Sequence, residues 1–153
     1  MNVAGLLSDY SGLNGNQITL NNTAPQLNIP DNDQTTLTIT PSVTKDEGNT
    51  GTTSFTFTLT LNKATGSGFT INYNTTNATA TAADNDFGAA GMTLNFSGTA
   101  GETRDITILV NGDTKIEGNE TFFVDLAAPS SNFSNRLTVP LSRAVGNITN
   151  DDV

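Results

Sequence analysis

Apolar and polar residues alternate with a period of two along almost the whole chain, a pattern that admits strands and leaves helical periodicity nearly absent. In Ser54-Phe55-Thr56-Phe57-Thr58-Leu59-Thr60-Leu61 the apolar side chains fall on one face and the hydroxyls on the other. The same alternation returns in Leu37-Thr38-Ile39, Phe69–Tyr73, Met92–Phe96, Ile106–Val110, Phe122–Leu126 and Val145–Thr149. Between these runs lie Gly, Asn, Asp and Ser clusters such as Glu47–Gly51, Ala64–Gly68, Ser97–Gly101 and Asn111–Asp113, which read as turns. About seven half-buried strands at this spacing predict an all-β fold, an antiparallel immunoglobulin-like β-sandwich, with a closed barrel as the structural alternative. Phe123 breaks the parity of its strand, since Phe122, Val124 and Leu126 already supply the inward face. It is expected either against a neighbouring module or singly exposed.

At 153 residues the chain is long enough for one domain with a substantial core. The first 33 residues differ in kind: alternating runs at Gln17–Leu20 and Leu27–Ile29 sit among Asn, Gly and Ser and cannot bury a core alone. The expected organisation is therefore an N-terminal extension over 1–33, containing strands, and a sandwich over 34–153. The extension closes on Asn28-Ile29-Pro30-Asp31-Asn32-Asp33, which matches Asn147-Ile148-Thr149-Asn150-Asp151-Asp152 in order of residue type. Similar endings one domain apart are the mark of a tandem array. The extension is then the end of a preceding module or a strand given to a neighbour.

A net charge of −9 with six Lys and Arg argues against nucleic acid, whose phosphates require a basic surface. No apolar run reaches the roughly 18 residues of a membrane helix. Cysteine and histidine are absent, so thiol chemistry, imidazole ligands and the usual general base are absent too. Any metal would be held by oxygen alone, which favours calcium or magnesium over zinc.

The segment Asn111-Gly112-Asp113-Thr114-Lys115-Ile116-Glu117-Gly118-Asn119-Glu120 crowds three carboxylates at a strand-to-strand corner, and Asn150-Asp151-Asp152 adds a second acidic patch. Unpaired carboxylates at close range repel and raise one another's pKa, so such crowding calls for a cation. The plain alternatives are a tight turn at Gly112-Asp113 and a solvated linker at Asp151-Asp152. Glu102 reads as a turn former rather than a ligand. The sequons Asn74-Thr75-Thr76 and Asn119-Glu120-Thr121 follow from composition in a chain rich in Asn and Thr.

Over residues 34 to 153 the chain resembles the Calx-beta module, the immunoglobulin-like repeat of sodium/calcium exchangers, an integrin beta subunit and many bacterial surface proteins. The resemblance is carried by Asp46-Glu47-Gly48, by Ala82-Ala83-Asp84-Asn85-Asp86-Phe87 followed by Gly91–Phe96, and by Gly101-Glu102-Thr103. The corner Asn111–Glu120 and the ending Asn147–Asp152 complete it. The resemblance implies calcium held at one end of the sandwich by Glu47, Asp86, Asp113, Glu117, Glu120, Asp151 and Asp152. Here Asn111-Gly112 precedes a single Asp113, Asn150 stands where a further acid can occur, and Phe87 replaces the more usual tyrosine. Fewer carboxylates imply fewer ions or weaker binding.

The function expected from these features is a non-enzymatic, calcium-binding structural module of an extracellular repeat protein or adhesin, stiffening its junctions with adjacent modules. A second reading is a filament subunit joined to copies of itself by N-terminal strand addition. A third, a carbohydrate-binding or catalytic sandwich using Glu117 and Glu120, has few exposed aromatics to stack on sugar rings and no nucleophile with a base nearby.

Overall fold

The structure is a computed structural model and describes residues 34–153. The expected extension over 1–33, with Asp31 and Asp33, lies outside the described residues. From Thr35 the chain runs through β1 (Thr35–Ile39), β2 (Ser42–Asp46), β3 (Thr52–Leu61), β4 (Phe69–Asn77), β5 (Gly91–Phe96), β6 (Thr103–Asn111), β7 (Glu120–Leu126), β8 (Leu137–Thr138) and β9 (Arg143–Thr149). Two sheets result, one in the order β6-β3-β1-β8 and the other β2-β9-β7-β4-β5. This is the expected sandwich.

Register follows from the alternation. β3 and β6 pair antiparallel from Thr52↔Asn111 to Thr60↔Thr103. That register puts Phe55, Phe57, Leu59 and Leu61 beside Ile106, Ile108 and Val110 on one buried face. The second sheet answers with Phe69, Ile71, Phe96, Phe122, Val124, Leu126 and Ile148. Phe122 is the hub: its ring lies 4.7 Å from Phe87, 5.7 Å from Phe55 and 6.3 Å from Phe57. Each buried phenyl ring contributes roughly 2–3 kcal/mol by area, and each ring contact about 0.5–1.5 kcal/mol more. Gly146, on the neighbouring strand, leaves room for that ring; a Cβ there would fall 2.2 Å from Phe122 Cζ.

Two strands were not expected, and both pair in parallel at sheet margins. Pro41, which cannot donate to a ladder, separates β1 in one sheet from β2 in the other, so the first strand changes sheets there. β2 then runs parallel to β9 from Ser42↔Val145 to Asp46↔Thr149. β8 runs parallel to β1 through Thr35↔Leu137 and Thr36↔Thr138. β2 is exposed except at half-buried Val43 and β8 has two residues, so neither carries a legible alternation.

Phe123 is half-buried rather than singly exposed. The Arg143 guanidinium stacks 4.5 Å from its ring centre. Asp125 holds that guanidinium at 2.6 Å and 3.1 Å.

The registers decide where the loops meet. Asp46↔Thr149, Glu120↔Ile148, Asn77↔Phe122 and Thr52↔Asn111 set the ends of β2, β4, β6 and β9 and the starts of β3 and β7 at one pole.

Candidate metal centre

Close backbone packing builds the pole first. Gly112 follows β6 and donates its N–H to the Gly51 carbonyl at 3.1 Å. A Cβ at Gly112 would fall 1.9 Å from the Gly48 oxygen and 2.9 Å from the Glu47 oxygen, so only glycine lets the corner lie against that loop. Past it, Lys115 N donates to Asp113 Oδ1 at 2.7 Å, an Asx turn that folds the loop back. Glu117 N donates to Asn150 Oδ1 at 3.3 Å, and Asn150 N to Asn119 Oδ1 at 3.2 Å. Asn150 Nδ2 also reaches the Asp152 carbonyl at 3.0 Å. Asn150 thus braces the corner to the tail, a role that sequence reasoning missed by noting only a lost acid. An amide both donates and accepts, which a carboxylate cannot, and that was the available signal.

Asp86 arrives from the loop between β4 and β5. Phe87, buried against Phe122, anchors that loop. Asn111 N donates to the Asp86 carbonyl at 2.9 Å, and Asn111 Nδ2 to the Asn85 carbonyl at 2.7 Å. Thr81 N donates to Asp86 Oδ2 at 2.7 Å. Asp84 is occupied locally, accepting from Thr81 Oγ1 at 2.9 Å. Carboxylate oxygens of Asp86, Glu117 and Glu120 lie within 4.8 Å of one another.

Glu47, Asp151 and Asp152 complete the cluster. Glu47 N donates to the Thr149 carbonyl at 3.2 Å, and Thr53 Oγ1 to the Glu47 carbonyl at 2.7 Å. Gly48 N donates to Asp151 Oδ1 at 3.1 Å. Glu47 and Asp152 are buried, at 7% and 9% exposure. Asn49 Nδ2 donates to Asp152 Oδ1, whereas Asp152 Oδ2 is buried with no hydrogen-bond partner.

The electrostatics join these acids into one set. Burial, then the charges of Asp113, Glu117, Asp152 and Asp151, push the Glu47 carboxyl above its ordinary range. Glu120 is pushed up to about 7, by burial first, then by the charge of Asp86 and a hydrogen bond with it, then by Glu117 and Glu47. Every acid expected as a ligand therefore stands at this pole within the field of Glu47 or Glu120. Acids elsewhere are answered by donors. Asp105 accepts from Thr58 Oγ1 at 2.7 Å and Asp125 from Arg143. Glu102 accepts from Ser97 N, Ser97 Oγ and Gly98 N at 2.9–3.0 Å and from Arg104 at 2.5 Å, the turn role expected of it.

A pole of this kind fits a hard cation. Its donors are all oxygen, it carries excess negative charge, and it holds one buried carboxylate oxygen with nothing to bind. Fold and pole together define a strand-only sandwich with an acid-lined end. The Calx-beta domain family model matches residues 30–152, and the chain belongs to that family. Among solved structures, the apo form of the Calx CBD1 domain has 20% identity and a TM-score of 0.66, covering 78% of this chain and 100% of that one. The calcium binding domain CBD12 of CALX1.1 has 25% identity and a TM-score of 0.62, covering 76% of this chain and 46% of that one. The Calx CBD2 domain has 15% identity and a TM-score of 0.60, covering 76% of this chain and 86% of that one. No curated protein matches.

Proposed function

We propose that the acidic pole binds calcium through Glu47, Asp86, Asp113, Glu117, Glu120, Asp151 and Asp152, and that the ion stiffens a structural module of an extracellular repeat protein or adhesin. The observation that carries the reading is the unpartnered, buried Asp152 Oδ2 beside carboxyls that burial and mutual repulsion hold above their ordinary range. An orphaned anionic oxygen costs about 1–3 kcal/mol or more, which a bound cation removes. The donor set favours calcium over magnesium, because calcium accepts about six to eight oxygens in flexible geometry. The job is mechanical: an ion tying the Glu47 loop, the Asp86 loop, the 113–120 corner and the Asp151–Asp152 tail would fix where the chain leaves the sandwich. Adjacent modules or copies of the chain are the partners this implies, in surroundings where calcium near 10⁻³ M fills sites of roughly 10⁻⁴ to 10⁻³ M affinity.

Thermal unfolding with and without calcium tests the reading. Calcium at about a hundredfold excess over its dissociation constant should add about 2.7 kcal/mol. Asp113→Asn combined with Glu117→Gln should abolish that increment. Identical melting curves of the unsubstituted chain in calcium and in EDTA would remove the metal role.

A further inference from the structure

We propose that Lys115 is a built-in competitor for the cation: its ammonium pairs with Glu117 inside the acidic pole and must leave before a divalent ion can take that carboxylate. The inference rests on the calcium reading above and concerns its regulation, the concentration at which the site fills.

Geometry seats the competitor. The Asx turn closed by Lys115 N on Asp113 Oδ1 at 2.7 Å fixes the root of the side chain at the edge of the acids. From there Lys115 Nζ forms an ion pair with Glu117 Oε1. Glu117 is one of the three residues whose carboxylate oxygens gather within 4.8 Å, so the ammonium engages a member of the proposed ligand set rather than a bystander. The hydrogen bond with Glu117 and that residue's charge, then Asp113 and Asp84, hold the ammonium firmly protonated. Three other cations are engaged elsewhere. Lys45 Nζ donates to the Ser54 carbonyl at 2.7 Å, Arg104 pairs with Glu102, and Arg143 pairs with Asp125.

The pair is also built to break. The Lys115 side chain is 73% exposed against 22% for Glu117, so the ammonium can swing into water while the carboxylate stays. A lysine offers one charge on a flexible stem, whereas a divalent ion can bridge several carboxylates at once. Two effects are therefore linked. Lys115 relieves repulsion in the calcium-free chain, and it weakens calcium binding by the same factor, because the ion must displace it.

Calorimetric titration with calcium, and thermal unfolding in EDTA and in saturating calcium, test this on the full chain. Lys115→Met should bind calcium about three- to fivefold more tightly. It should unfold at a lower temperature in EDTA and at the original temperature in saturating calcium. Lys115→Arg should keep the original affinity, and so should Lys45→Met, which removes an ammonium held by the Ser54 carbonyl. Unaltered affinity in Lys115→Met, with calcium still binding the unsubstituted chain, would overturn the competitor and leave the calcium site standing. Equal tightening in Lys45→Met would reduce the effect to net charge and overturn it as well. An unsubstituted chain that takes up no calcium would overturn the site itself.

Discussion

Raising the pH should weaken the calcium-free protein across the interval between the ordinary glutamate value of 4.5 and about 7. Glu120 is pushed to the upper limit by burial, by Asp86 and then by Glu117 and Glu47, and Glu47 is displaced in the same direction. Below 4.5 these carboxyls are protonated in folded and unfolded chains alike, and the fold is spared their repulsion. Inside the interval the folded chain retains protons that the unfolded chain has released, so stability falls as pH rises. Above about 7 both states are ionised and the whole penalty is present. A displacement of this size on Glu120 corresponds to about 3 kcal/mol, which water at a half-buried position screens to about 1–2 kcal/mol. Glu102 and Asp125 are displaced the other way. Burial raises Glu102 but its Ser97, Gly98 and Thr99 bonds prevail, and the Arg143 bond lowers Asp125. Their contribution disappears only as pH falls through their lowered values, outside the interval. Urea unfolding in EDTA from about pH 5 to about pH 8 should therefore show a falling midpoint, flattened by Glu120→Gln. Calcium should cancel or invert the slope, since protons compete with the ion for the same oxygens. A midpoint that is level or climbs from pH 5 to pH 8 in EDTA would refute the repulsive pole.

Other substitutions separate backbone from charge. Gly112→Ala drives a Cβ to 1.9 Å from the Gly48 oxygen; it should cost about 1–3 kcal/mol in chemical denaturation and weaken calcium binding, because the corner must leave the Glu47 loop. Gly146→Ala, which meets the Phe122 ring at 2.2 Å, should destabilise by about 1–3 kcal/mol and disturb the Phe87 ring signals by NMR. Glu102→Gln should lower the melting temperature while leaving the calcium increment unchanged, since its bonds lie in the turn Ser97–Thr99 rather than at the pole.

What could be read from the residues divides along a physical line. Strands with one buried face announced themselves, because burial forces the alternation seen in β3 and β6. β2 did not, since a margin strand held by a parallel ladder needs no second apolar residue beyond Val43. The acids of the pole were legible through family likeness and crowding, but their bracing was not. Asn150 and Asn119 look like loop filler until the fold sets the tail beside the corner. Phe123 likewise broke the inward parity for a reason that only the neighbouring strand supplies, the guanidinium of Arg143.

Core and pole are one construction. Phe122 lies two residues past Glu120 and stacks on Phe87, which adjoins Asp86, so the contact that closes the sandwich also sets two of the gathered carboxylates face to face. A sequence selected for stability alone would relieve that repulsion with nearby donors, as Ser97 and Arg104 do for Glu102 and Arg143 does for Asp125. At the pole the only cationic side chain seen on a carboxylate, among the described contacts, is the exposed Lys115, and Asp152 Oδ2 keeps no partner. Local rules obeyed elsewhere among the described residues and broken at one place point to function there. The aromatic core supplies the stability that lets the chain hold those acids together.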